Sequence, residues 1–308
     1  MIIKLPVDRI KFGLIGSGKV CVEFSKILIK NGFPKPVIVT WPKVRHKRDK
    51  VLLRNNTNYA DVFSFSKKYD ITIIESININ NDDTLDLLEK YNVNILFSIK
   101  SRWIIKDYVI KKFDGNVINI HQGYLPFERG SVTYQKIMNG FKQTGVTIHL
   151  VSPTIDTGDI LYREKREITT NNPTIDIIND INFRISIKLL NEFVYDLKGM
   201  IEIKQIKQEN DASIYMPQFY TEINGAINWV WDALSIDRFI RAFGPPMPGA
   251  FTFYKDKIFS LLESYIEKSN KKYHPYFYGR IVTIKDDGSM RIITKDDYLI
   301  VSKVRYGK

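Results

Sequence analysis

The chain has 308 residues, 44 % of them hydrophobic and 26 % charged, with a formal net charge of +12. This mixture excludes a disordered, collagen-like or coiled-coil protein, and the length allows two domains, each with its own core. A single cysteine, Cys21, excludes an internal disulfide and a cysteine-based zinc cluster, and it fits a reducing compartment.

The chain opens with β-rich runs alternating with helix-length segments, the sign of a mostly parallel, Rossmann-like sheet with helices on both faces. "KFGLIG" from residue 11 reads as a strand, "SGKVCVEFSKILIKNG" as a glycine turn and helix, and "PVIVTW" as the next strand. "ITIIES" and "VNILFSI" add two strands, and "NNDDTLDLLEKY" between them is a helix begun by Asn and Asp caps. "NVINIH" is a further strand, and "VTYQKIMNG" a helix closed by Gly140. "GVTIHLV" alternates, placing Val146, Ile148 and Leu150 on one face. Beyond the helix "TIDIINDINFRISIKLLNEFVYDLKG" the pattern changes to short strands parted by turns: "KIFSLLESYIEK", "YGRIVTI", "MRIITK" and "YLIVSKVRYGK". That pattern predicts a small OB-like β-barrel domain. The polar stretch "KQIKQEND" places the boundary near residue 205, giving domains 1–204 and 205–308.

Charges at Lys4, Asp8, Arg9 and Lys11 interrupt any apolar leader, and no segment reaches the roughly 18 apolar residues of a membrane span, so a cytoplasmic protein is expected. The positive charge predicts an anionic partner without choosing among nucleic acid, nucleotide-linked metabolite and polyanionic cofactor. "GLIGSGKVC" carries Gly16 and Gly18, but the third glycine of a dinucleotide fingerprint would fall on Cys21. A tight strand-to-helix turn is expected there, and no NAD. The basic run "WPKVRHKRDKVLLR" (41–54) is either a grip for phosphates or a solvated face. "FGPPMPGAF" could bridge the domains or support a homodimer.

Of the four histidines, His46 has no catalytic pattern, His274 reads as surface, and His149 as a half-buried structural residue opposite the Val146 and Ile148 face. His121 differs. Asn119 and His121 end a strand two residues apart, so both point to one side, where open α/β sheets present their reactive groups. "SPTIDTGDI" follows another strand end, and Gly158 allows a turn that brings Asp156 or Asp159 to the same crevice. An amide, an imidazole and a carboxylate converging on one point suit acyl transfer: the first two stabilise an oxyanion, and the third orients the imidazole and manages protons. No serine nucleophile elbow is present, so the acyl group would pass directly to an incoming nucleophile.

"NIHQGYLPFERG" with "TGVTIHLVSPTIDTGDIL" resembles the active-site signature of formyltransferases that use 10-formyltetrahydrofolate. The resemblance extends through "INWVWDALSIDRFIRAFGPPMPGAFTFY" to the C-terminal domain shared by methionyl-tRNA formyltransferases and several sugar N-formyltransferases. It implies a catalytic trio of Asn119, His121 and Asp156, with Asp159 structural, and attack of a neutral amine on the formyl carbon through a tetrahedral intermediate. It also implies a pterin held between residues 101–105 and the "VSPTID" loop, which draws in Arg102, Trp103, Ile104, Ile105 and Ile155; Trp103 alone reads equally well as a core aromatic. No metal is implied. Gln122, Gly123 and Tyr124 replace the serine-leucine pair of the tRNA enzymes, which points to a dTDP- or UDP-linked amino-deoxysugar as acceptor. A tRNA acceptor remains the alternative, as does a silent folate- or RNA-binding scaffold.

Overall fold

The computed structural model describes residues 5–46, 59–209 and 213–307. Its strands are β1 (Phe12–Gly16), β2 (Val37–Thr40), β3 (Ile73–Glu75), β4 (Ile95–Ile99), β5 (Val117–His121), β6 (Glu128–Gly130), β7 (Gln143–Leu150), β8 (Ile160–Glu167), β9 (Ile214–Met216), β10 (Ala250–Tyr254), β11 (Lys257–Glu267), β12 (Ile281–Ile284), β13 (Met290–Ile293) and β14 (Tyr298–Tyr306). The helices that matter here are α1 (Lys19–Lys30), α2 (Val62–Tyr69), α3 (Asp82–Lys90), α4 (Asp107–Lys112), α5 (Val132–Met138), α6 (Ile175–Lys198) and α7 (Ala233–Phe243). They fall into two compact units: residues 1–130, 144–166 and 179–215, and residues 131–143, 167–178 and 216–308.

The first unit is built on a seven-stranded sheet in the order β3-β2-β1-β4-β5-β7-β8. The five strands from β3 to β5 run parallel, and β7 reverses direction against β5. Alternation along the strands sorts side chains to two layers. Phe12, Leu14, Phe97, Ile118, Ile120, Val146 and Ile148 join Phe24 of α1 and Phe193 of α6 on one face. Ile15, Val37, Val39, Leu96 and Val117 join Leu85 and Leu88 of α3 and Val109 of α4 on the other. The expected Asn cap is present: the Asn81 side chain accepts from the Thr84 amide at 3.1 Å at the start of α3.

Gly16, expected in a tight turn, has a second reason to be glycine. Its φ is +140°, and a Cβ added there would lie 1.9 Å from the Ile99 carbonyl oxygen on neighbouring β4. Gly16→Ala should therefore force β1 and β4 apart and lower stability by about 1–3 kcal/mol, read as a fall in the thermal midpoint.

Of the segment read above as a polar linker, residues 204–209 belong to the first unit, where Ile206 and Ile160 exchange backbone hydrogen bonds at 2.8 and 2.9 Å, and the rest lies outside the described residues. In the second unit a five-stranded antiparallel sheet runs β10-β11-β14-β13-β12. Register shifts between Leu261 and Ser264 bend β11, the device that curls a sheet towards closure. Helix α7 packs on β11 and α5 on α7. The Asp232 side chain caps α7 at the Ser235 amide, 2.7 Å away. Among the described residues no helix is long and apolar enough to cross a membrane, and no group of three or more His, Cys, Asp or Glu is placed to hold a metal.

Candidate active site

The site begins with strand register. Antiparallel pairing of β5 and β7 sets Asn119 opposite His149 and His121 opposite Thr147. Ile118, Ile120, Val146 and Ile148 fill one face, so Asn119, His121, Thr147 and His149 share the other.

His121 is buried with acceptors at both ring nitrogens: Nε2 lies 2.6 Å from the Glu128 carbonyl, and Nδ1 lies 3.5 Å from Asp156 Oδ2. A doubly protonated ring satisfies both neighbours. Gly123 makes this fit possible, since a Cβ there would sit 2.4 Å from His121 Nε2.

His149 is 2 % exposed. Its Nδ1 lies 2.7 Å from the Leu150 carbonyl, which places a hydrogen on Nδ1 and leaves Nε2 to accept from Asn119 Nδ2 at 3.1 Å. The contact fixes the Asn119 amide with its nitrogen inward and its second amide hydrogen uncommitted among the described residues. This imidazole, read from sequence as structural, therefore belongs to the constellation. Its strand face was legible, but the partner across the ladder was not.

Asp156 takes a left-handed φ of +54°, a strained choice for a non-glycine residue and one that clusters at functional sites. Its Oδ2 accepts from the Gly130 amide at 2.9 Å, and its Oδ1 lies 3.6 Å from His149 Nε2. Burial pushes its pKa up, but the His121 imidazole and the Gly130 amide beside it outweigh burial and hold the carboxyl well below the ordinary range. Gln208 straps the turn: its Nε2 donates to the Asp156 and Gly158 carbonyls at 3.0 and 2.6 Å, and Arg129 holds its Oε1 at 2.9 Å. No local signal points to Gln208, which lies 52 residues from Asp156. Asp159 contributes a carbonyl to the Leu150 amide, a structural contact.

The remaining candidates divide. Trp103 and Arg102 line a shallow cleft, open to solvent, with Gly16, Ser17, Trp41, Arg45 and Lys100. Trp103 stacks on Trp41 at 6.1 Å, and the Arg45 and Arg102 guanidinium groups lie over the Trp41 ring at 4.3 and 5.6 Å. The buried Trp41 indole N–H has no hydrogen-bond acceptor among the described residues. Ile104 is 66 % exposed and Ile155 41 %, whereas Ile105 is buried in the core with Val109 and Val117. Gln122 and Tyr124 flank Gly123 in the loop after His121. Of the basic run, Lys47, Arg48, Lys50 and Arg54 lie outside the described residues.

A Rossmann-like sheet whose strand ends converge an amide, two imidazoles and one ionised carboxylate defines a group-transfer enzyme. The chain belongs to the formyl transferase family: residues 10–187 match its Formyl transferase domain and residues 220–308 its C-terminal domain. Methionyl-tRNA formyltransferase of Finegoldia magna is 26 % identical over 84 % of this chain and 81 % of its own length. Among solved structures, the sugar 3N-formyltransferase WlaRD, determined with dTDP and 5-N-formyl-THF, superposes with a TM-score of 0.69 at 22 % identity, covering 95 % of this chain and 97 % of that one. The Helicobacter canadensis N-formyltransferase, in complex with folinic acid and dTDP-3-aminofucose, gives 0.68 at 20 % identity over 95 % and 98 %.

Proposed function

We propose that the enzyme moves the formyl group of 10-formyltetrahydrofolate to the primary amine of a nucleotide-linked amino-deoxysugar. The observation that carries the reaction is the convergence of Asn119, His121 and Asp156 on one face of a strand end. The amine nitrogen bonds to the formyl carbon, the bond from that carbon to the donor nitrogen breaks, and the amine's proton ends on that nitrogen. Asn119 offers its second amide hydrogen to the oxyanion of the tetrahedral intermediate, in the orientation that His149 imposes. The Nε2–H of His121 exchanges the Glu128 carbonyl for the same oxygen. Asp156 keeps the imidazole charged and relays the proton.

The cleft at Trp103 suits the donor: stacked indoles with two guanidinium groups suit a fused heterocycle with an anionic tail, and the Trp41 N–H, without an acceptor among the described residues, offers a donor. The folate-bound neighbours named above support a folate donor. For the acceptor, the residues after His121 and the dTDP in both neighbours support a nucleotide sugar. The curated relative's name supports a tRNA acceptor instead, and one assay separates them. Incubation with 10-formyltetrahydrofolate and a dTDP- or UDP-linked 4-amino-4,6-dideoxyhexose should release tetrahydrofolate, followed by absorbance. Release with aminoacylated initiator tRNA and with no amino sugar would reverse the assignment.

A further inference from the structure

A patch beside the trio has no part in the chemistry above. The Tyr124 and Phe127 rings are parallel, 1° apart in plane and 6.2 Å between centroids. Arg163 and Lys165 lie over the Tyr124 ring at 4.8 and 5.5 Å. Both project from one face of β8, the edge strand of the sheet, while Glu164 between them turns the other way to pair with Lys188 and Arg166. Arg163 Nη1 donates to the Leu125 carbonyl at 2.7 Å, and neither cation is ion-paired with a carboxylate among the described residues. Two uncompensated positive charges therefore border an aromatic surface whose outer ring, Phe127, is 48 % exposed.

The patch is rigid and tied to the catalytic strand. The Leu125 amide donates to Thr147 Oγ1 at 3.1 Å, Thr147 Oγ1 donates to the Gly123 carbonyl at 2.8 Å, and the Tyr124 amide donates to Glu128 Oε2 at 2.7 Å. Gly145 makes room for the Glu164 carbonyl of β8 and for Tyr124, because a Cβ there would lie 2.7 Å from the carbonyl oxygen and 3.0 Å from the tyrosine Cβ. Thr147 faces His121 in the register, and Gly145 is two residues further along β7. From Thr147 to Gly145 the strand advances about 7 Å, a sugar-sized step.

An aromatic face takes a base, and paired cations take phosphates. Two cations at one spot match a diphosphate better than they match the long backbone of an RNA. We infer that the nucleoside diphosphate of the acceptor docks here, its base on Phe127 and Tyr124 and its phosphates between Arg163 and Lys165. The inference rests on the amino-sugar reading above and extends it to residues outside the catalytic trio.

The test titrates the full chain with dTDP and with UDP by calorimetry, for wild type, Phe127→Ala and the exposed-site variant Lys165→Ala, beside steady-state kinetics. Each variant should weaken nucleotide binding and raise the acceptor KM about tenfold, with kcat within about twofold and the donor KM unchanged. Absence of nucleoside diphosphate binding to wild type, or unchanged affinity in both variants, would overturn the patch. Turnover of an amino sugar with unchanged KM in both variants removes the patch and leaves the proposed acceptor standing. Nucleotide binding that depends on Lys165 without formylation of any amino sugar does the reverse.

Discussion

His121→Ala is expected to lower kcat by about two to three powers of ten, with little change in the KM for the donor. One oxyanion donor in a preorganised site is worth about 3 kcal/mol, and each 1.36 kcal/mol is about a factor of ten in rate. The imidazole is held in place by the Glu128 carbonyl at 2.6 Å and by Asp156 at 3.5 Å. Asn119→Ala should cost a similar factor, and the double variant little more, because the two donors serve one oxygen. Single-turnover formylation with saturating donor is the measurement, with the thermal midpoint as a check on folding. A His121→Ala enzyme within tenfold of wild type would remove this residue from the chemistry.

Asp156→Asn should lower kcat by about a hundredfold or more and change its pH dependence. The carboxylate favours the charged form of the imidazole beside it, so the neutral amide lets His121 lose its proton at lower pH. If the charged imidazole is the working form, the alkaline loss of kcat in the variant sets in at a more acidic pH than in wild type. Stability responds with the opposite limb. A carboxyl whose pKa is depressed in the folded state contributes stability that is complete above its unfolded value, near 3.9, and is lost as pH falls through the folded one. Below about pH 4 the wild type should therefore lose stability more steeply than Asp156→Asn, as followed by urea unfolding across pH. Parallel curves would mean that the carboxylate is not held ionised by its neighbours.

How far the sequence alone reached depends on the range of each interaction. Spacing by two is a local property, so Asn119 and His121 could be paired from the strand alone, and the glycine after Asp156 announced a turn. The alternation of β7 also placed His149 correctly, on the face away from Val146 and Ile148. What that face meets is decided by antiparallel register with β5, a non-local fact, and the residue was therefore read as structural. Gln208 reaches the Asp156 carbonyl, and Arg129 reaches Gln208, by the same non-local route. The Trp41 and Trp103 stack joins two loops about 60 residues apart, which propensity does not encode. Helices α2 and α4, of eight and six residues, were not read from the sequence, whereas the equally short α5 was marked by the glycine that closes it.

The reversal of direction between β5 and β7 has a practical outcome. Side chains alternate along a strand, so a slip of one residue in this ladder would put a leucine or an isoleucine where His149 meets Asn119, and would turn the imidazole towards the hydrophobic layer. A chain that folds with the wrong pairing would thus be silent as well as less stable. Specific activity then measures the fraction of molecules with the correct strand alignment, and preparations of equal purity but different refolding history can be ranked by it.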